Sequence, residues 1–473
     1  MTNPNEGIAV HQGAGYDRRL GTFDATMVVV GAIIGGGIFL NPAIVAQRVG
    51  TAGAVLGAWG LGGVIAVVGA LCFAELGARL PRAGGGYVYL RDAFGPLPAF
   101  LYGWTQLLVI NTGGVAAVAI IFASYTVDLV GAGSEWVKPL AVGAIVLLSA
   151  VNVAGVRFGS WVQNAFTLLK LAALALLVGA GTWLWARNGG YPTDAGMGTA
   201  VQGSLVLAMG TALVPVLFAY GGWQHANNIA EEIREPERRL PVALLVGVAI
   251  VVTVYVLANA AYLAALGPEG LAGSTAPAAD ALRAVAGRRG GEIIALGVAC
   301  STFGILNVFI MATPRIYQAM AADGIFFASV ARLSPRTRTP AAGIWIQMVW
   351  AVILALSGTY GKLLDWVVFG DWIFFGSIVA TLFVYRARDA RSDESRPRPE
   401  RDAFSRADVR STASSPRFRV PAHPLLPGLF VLAACFVVYS SVVSNPRNAV
   451  YGTLLIGAGV PAFLGWRRRS GAS

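Results

Sequence analysis

Long apolar runs of membrane-crossing length alternate along the chain with short polar segments. Taking roughly 18–25 apolar residues as one span predicts helices near residues 22–47, 52–78, 95–127, 138–154, 161–186, 203–230, 241–266, 291–322, 341–358, 363–386, 424–444 and 448–466. The expected fold is therefore all-α and integral to the membrane, with twelve transmembrane helices. Two runs are interrupted. The first carries Gly31, Gly35, Gly36 and Gly37 and continues into Asn41-Pro42. A glycine in a helix interior costs about 1 kcal/mol relative to alanine, so this span is poorly suited to running unbroken. Unwound backbone is tolerated at membrane depth only where protein buries it or a watery cavity faces it. The sixth run repeats the pattern, with Gly221-Gly222 between Pro215 and the polar residues Gln224, His225, Asn227 and Asn228.

Breaks in spans one and six, five helices apart, are the pattern of an inverted-repeat secondary transporter with discontinuous helices 1 and 6. Five helices from an inside start end outside, so a second set of five is automatically inverted. The expected organisation is a tail over 1–20, a first repeat over 21–187, a second repeat over 203–386, two further helices over 424–467 and a short tail over 468–473. Residues 387–423, rich in Arg, Asp, Ser and Pro, bury too little apolar surface to fold and are expected to form a disordered loop. The competing reading of the glycines is close helix packing, as for Gly53 and Gly57.

Composition agrees with a polytopic membrane protein: 56% of the 473 residues are hydrophobic and 12% charged, and mean hydropathy is +0.65. Soluble domains carry about 25% charged residues. The net charge of +11 is mostly arginine and concentrates in alternate loops, at Arg79, Arg82 and Arg91, at Arg234, Arg238 and Arg239, at Arg332, Arg336 and Arg338, and in the terminal Arg467, Arg468 and Arg469. That asymmetry places both termini in the cytoplasm of a multi-pass protein of the cell (inner) membrane, and it is explained by orientation rather than by nucleic-acid binding. Cys72, Cys300 and Cys435 fall in apolar segments without metal spacing, so no metal site, cofactor or disulfide framework is expected. HExxH, P-loop and GxSxG patterns are absent, which disfavours an enzyme.

The intramembrane charges are the next candidates. Lys138, Lys170 and Lys362 are the only lysines, and Lys170 lies within the fifth span. A charge there costs roughly 3 kcal/mol on insertion scales and is a functional candidate, with snorkelling to the interface as the alternative. Asp371 in the tenth span suggests an ion pair or gate, or else a position near the outer surface. His225 could contact a substrate, sense pH or be structural. Glu75, Glu231 and Glu232, near Arg82, Arg234, Arg238 and Arg239, suggest either inner-gate salt bridges or ordinary interfacial charges.

Several ordered motifs resemble one family. GAIIGGGIF at residues 31–39 is similar to the GxIIGSGIF of the amino acid–polyamine–organocation superfamily, and within it of the L-type amino acid transporters and their bacterial relatives. FAYGGW at 218–223 followed by EEIREPERRLP, Ala74-Glu75-Leu76 followed by PRAGGGY at 81–87, residues 416–421 and Ser444-Asn445-Pro446-Arg447 extend the likeness from about Gly21 to Arg469. The resemblance implies a LeuT-like 5+5 fold. Its site would place the amides of Gly35, Gly36 and Gly37 on a substrate carboxylate and the carbonyls of Ile33, Phe218 and Gly221 near the amine. Free N–H groups and the positive end of a helix dipole suit an anion, free carbonyls suit an ammonium, and a zwitterionic amino acid needs both. Phe218 would gate the pocket from outside, with Tyr220, Gly222, Trp223 and Gln224 completing gate and pocket. Lys170, with Ser301 and Thr302, would stand where related carriers bind sodium. Gly36 replaces a common serine, and Gln224-His225 replace a common Asn-Tyr.

The function so implied is sodium-independent transport of amino acids, neutral L-amino acids first, by exchange or proton coupling. A polyamine or cationic amino acid transporter, a channel and a transporter-like nutrient sensor are the other readings. The expected partners are a small-molecule amino acid and the lipid bilayer. Residues 128–138, which follow the third span, hold no cysteine, so no disulfide-linked heavy chain is expected.

Overall fold

A computed structural model describes residue 18 and residues 20–154, 159–188, 190, 205–358, 360–394 and 418–470. The first hydrophobic run forms two helices, α1 (Thr22–Ile33) and α2 (Gly37–Val49), bent by 41° at the glycines between them. Next come α3 (Ala52–Arg79), the short α4 (Gly86–Phe94), then α5 (Pro96–Thr105) and α6 (Asn111–Val130), joined by a wide π turn over Gln106–Ile110. They are followed by α7 (Val137–Val153) and α8 (Gly159–Asn188). The sixth run gives α9 (Leu205–Tyr220) and α10 (Gln224–Asn228). Beyond it lie α11 (Pro236–Gly273), α12 (Pro277–Ala312), α13 (Pro314–Ala322), α14 (Ala341–Ser357) and α15 (Tyr360–Glu394). The chain closes with α16 (Leu425–Ser444), α17 (Pro446–Gly457) and α18 (Gly459–Ser470).

Among the described residues, nine helices are long and apolar enough to cross a membrane, or ten with the bent α1–α2 pair counted as one, and α9 and α14 are shorter apolar helices. No strand occurs among them; Leu20 and Ile233 form an isolated bridge. Position in the bundle differs sharply from helix to helix. The window through α5 and α6 is 78% buried, while that of α8 is 28% buried. Leu168, Leu169, Leu176 and Trp183 of α8 face outward, as an apolar solvent such as lipid requires. α1 and α2 lie inside, against α11, α8, α9 and α12, and α6 packs against α12 and α15.

Two stretches differ from the sequence expectation. Helix α15 continues through residues 387–394, which composition assigns to the loop, because Asp389 pairs with Arg79 (2.8 Å) and Arg388 with Asp92 (2.9 Å). Residues 395–417 of that loop lie outside the described residues, as do residues 1–17 and 19 of the N-terminal tail and 471–473 of the C-terminal one. Helix α4 is not anticipated from hydropathy. It is amphipathic, burying Tyr87, Tyr89 and Leu90 while Arg91 and Asp92 are exposed. Asp323, beyond α13, holds it by accepting from the Tyr87 hydroxyl (2.5 Å) and pairing with Arg91 (2.7 Å). Burial raises the Asp323 carboxyl above its usual range, against the pull of these two partners.

Candidate functional site

At the first break several freed carbonyls have identifiable partners. A helix end leaves its last four carbonyls without intrahelical donors. In α1, Val30 O accepts from Ile34 N (2.9 Å). Gly31 O and Ile34 O accept from the Lys170 ammonium (3.0 and 2.7 Å), and Ile33 O accepts from the Tyr255 hydroxyl (3.1 Å). Lys170 is fully buried, so its cation serves the negative end of the α1 dipole instead of reaching the interface. Gly37 is required by close approach: a Cβ there would lie 2.9 Å from the Ala219 backbone of α9.

Each broken span also contains a proline whose missing N–H frees a carbonyl four residues earlier. For Pro42 that carbonyl is Ile38 O, which accepts from the Tyr262 hydroxyl (3.2 Å). For Pro215 it is Thr211 O, which accepts from the Arg48 guanidinium. Asn41 of α2 adds a bond to Pro215 O (2.7 Å), so the two broken spans brace one another.

The second break is closed mainly by its own residues. Gly221 N donates to Leu217 O (2.9 Å) and Phe218 O (3.2 Å). Gly222 has φ +129°, a region that favours glycine, and a Cβ on it would strike the Ala32 carbonyl of the first break. Its amide donates to Gln224 Oε1 (3.0 Å). The Tyr255 hydroxyl lies between the breaks, within bonding distance of Ile33 O and also of Ala219 O (3.2 Å).

Between the breaks lies a cavity. Ile33, Gly35, Gly36, Gly37, Phe218, Gly221, Gly222 and Gln224 line it, so it gathers eight of the residues expected from the sequence. The start of α2 offers this space N–H groups and the positive end of a helix dipole. Gln106 of the π turn, Asn111 just after it, Phe309 of α12, and Asp371, Trp372 and Phe375 of α15 also line it. Asn111 is fixed by Gln347 (3.0 Å) and Thr313 (2.7 Å). His225 lines the cavity with its ring against Phe309, centroids 4.8 Å apart.

The other expected residues sit behind the lining. The Tyr220 hydroxyl donates to Trp59 O (3.1 Å), and its ring packs on Trp59 and Tyr255. Trp223 is buried between Phe73 and Phe375. Lys170 lies behind the first break. Ser301 and Thr302 are buried on α12, which packs against the Lys170-bearing helix α8, but Thr302 donates to Val298 O and Ala299 O, and no hydrogen bond joins either residue to Lys170 among the described residues.

The acidic residues expected to pair with nearby loop arginines find different partners. Glu75 is fully buried and takes Arg386 (2.8 Å), Arg79 (2.9 Å) and the Val420 amide (2.7 Å); Glu232 takes Arg315 (2.5 Å); Glu231 accepts from Ala83 N (3.1 Å). Among the described residues Arg82, Arg234 and Arg238 show no ion pair, and Arg239 pairs with Glu235 (3.5 Å). Apart from Arg79, one turn along the same helix, the partners of Glu75, Glu231 and Glu232 lie 83 or more positions away, which neighbouring residue numbers cannot reveal. Sequence reasoning also missed Tyr255, Tyr262, Gln106 and Asn111. A polar residue every turn or two within a span is their only signal.

A helical bundle of membrane-spanning character, with a cavity where two of its helices are interrupted, defines a polytopic membrane protein. The chain belongs to the amino acid permease family, whose profile matches residues 20–462. It is similar to the b(0,+)-type amino acid transporter 1 of Mus musculus, at 30% identity over 96% of this chain and 90% of that protein. Likeness to the serine/threonine exchanger SteT of Bacillus subtilis (strain 168) is also 30%, over 96% and 98% of the two chains. With the human large neutral amino acids transporter small subunit 2 it is 30%, over 97% and 82%. The family is one of permeases, not enzymes.

Proposed function

We propose that the protein is a secondary transporter that moves amino acids across the cytoplasmic membrane by alternating access, without sodium. The observation that carries this reading is the cavity at which both breaks converge. The amides of Gly35, Gly36 and Gly37 would receive the α-carboxylate. Carbonyls of Ile33, Phe218 and Gly221 would face the α-ammonium, with Ile33 O and Phe218 O sharing their second lone pairs with Tyr255 and Gly221 N. Phe218 is the gate, with Gln224 and Gly222 beneath it and Tyr220 and Trp223 stiffening its base. The lining suits neutral side chains over most of its surface. The architecture in this reading is twelve spans, two inverted repeats over 21–187 and 203–386 and two appended helices over 424–467, with both termini cytoplasmic and no disulfide-linked partner.

Sodium independence rests on Lys170. Its ammonium takes the carbonyls of Gly31 and Ile34, oxygens of the kind a hard cation would coordinate. Purified protein in liposomes is expected to show saturable uptake of labelled amino acids, faster when the lumen holds unlabelled amino acid and equal in sodium and choline media. Uptake that needs a sodium gradient overturns the coupling assignment. Binding without flux would favour a sensor.

A further inference from the structure

One part of the cavity lining is unlike the rest. Asp371 of α15 lines it together with Trp372 and Phe375. Its Oδ1 is sealed from solvent and has no hydrogen-bond partner among the described residues, and no arginine or lysine pairs with it there. Among the polar residues that line the same cavity, Asn111 is held by Gln347 and Thr313, and the Gln224 oxygen is held by Gly222 N. The two orienting cations of the centre are also engaged elsewhere. Lys170 holds the α1 carbonyls and Arg48 holds Thr211 O.

A carboxylate among apolar walls at membrane depth requires an opposite charge or a proton. The cavity itself shows what kind of charge fits. Phe218, Phe309, Trp372 and Phe375 present aromatic rings to the same space, and ring faces attract ammonium and guanidinium groups. An acid with aromatic neighbours is the composition of a cation site. It stands on α15, while the main-chain groups that suit a carboxylate and an ammonium come from the α1–α2 and α9–α10 breaks. A substrate spanning both would place its shared α-groups at the breaks and its side chain at the acid.

We propose that Asp371 is the counter-ion for a positively charged side-chain group, ammonium or guanidinium, of the transported amino acid. This rests on the amino acid transport reading above and names the side-chain class of that same site. It makes Asp371 a specificity-determining residue, with Phe309 and Phe375 flanking the cation.

The test compares arginine with citrulline, which has nearly the same shape and no side-chain charge. Purified full-length protein in liposomes takes up a labelled amino acid while each competitor is titrated. Arginine is expected to compete at least about tenfold more strongly than citrulline, a difference near 1.4 kcal/mol. In Asp371→Asn the ratio is expected to fall to within about twofold, and in Asp371→Glu, which keeps the charge, to remain. A wild-type protein that treats the pair alike, or prefers citrulline, overturns the proposal whatever the variants do. So does a preference that survives Asp371→Asn. If neither variant transports, binding of the pair to detergent-solubilised Asp371→Asn, read by thermal shift, decides: an unchanged preference for arginine overturns the proposal and a lost one supports it. Wild-type protein that moves no amino acid at all would instead sink the transport reading.

Discussion

At the first break the loose carbonyls of α1 are taken by side chains from other helices, an ammonium from α8 and a hydroxyl from α11. At the second, most bonds close within the break itself, through the Gly221 amide and the Gln224 side chain, around a glycine in a left-handed conformation. The first break is thus held from outside and the second largely from within. A helix can be interrupted at membrane depth in either way, provided each main-chain group keeps a partner. External bracing lets another helix, here α8, govern the break's geometry. Internal bracing ties the geometry to one backbone torsion.

The sharpest way to break this contrast is to remove the external brace. Lys170→Met leaves the buried carbonyls of Gly31 and Ile34 without a donor, at about 1–3 kcal/mol each. Amino acid uptake into liposomes is expected to fall more than about tenfold. Unchanged uptake would show that the first break does not depend on α8. Next in size is Gly222→Ala, which combines an unfavourable φ, worth about 1–2 kcal/mol, with a methyl group driven against the Ala32 carbonyl. The expected result is a lower yield of monodisperse protein in size-exclusion chromatography; a normal yield with normal uptake would mean that the internal brace has slack. The smallest effect is expected from Tyr255→Phe. It removes one hydroxyl placed between the two breaks, a loss of about 1 kcal/mol, and is expected to lower melting temperature by a few degrees while uptake persists. A loss as deep as that of Lys170→Met would make the tyrosine the principal brace.

The interruptions were legible because glycine and proline act locally. Gly35–Gly37, Pro42, Pro215 and Gly221-Gly222 announce lost helical bonds without any knowledge of their neighbours. Lys170 was conspicuous because a charge in an apolar run is rare. What takes up the lost bonds was not legible. Tyr255 and Tyr262 look like ordinary aromatic residues of a hydrophobic helix, and their hydroxyls reach the carbonyls of Ile33 and Ile38, more than two hundred residues away. The same limit applies to Glu75 and Arg386, joined across 311 positions, and to the Val420 amide that completes the cluster. Helix α4 had a signal in Tyr87, Val88, Tyr89 and Leu90 followed by the charged Arg91 and Asp92, but it is far shorter than a membrane-crossing run. Tyr220 and Trp223 carried the opposite lesson: adjacency to a break in sequence did not bring them to the cavity wall, since successive residues of a helix end face different ways.

The cavity has two kinds of wall, and they differ in what inheritance can change. Gly35, Gly36, Gly37, Gly221 and Gly222 contribute main-chain atoms, which are the same whatever codon a neighbour acquires. Phe309, Asp371 and Phe375 contribute side chains, each alterable by a single substitution. Lineages descended from such a protein can therefore vary the second wall freely while the first stays chemically constant, so new substrate ranges can arise without rebuilding the centre of the molecule.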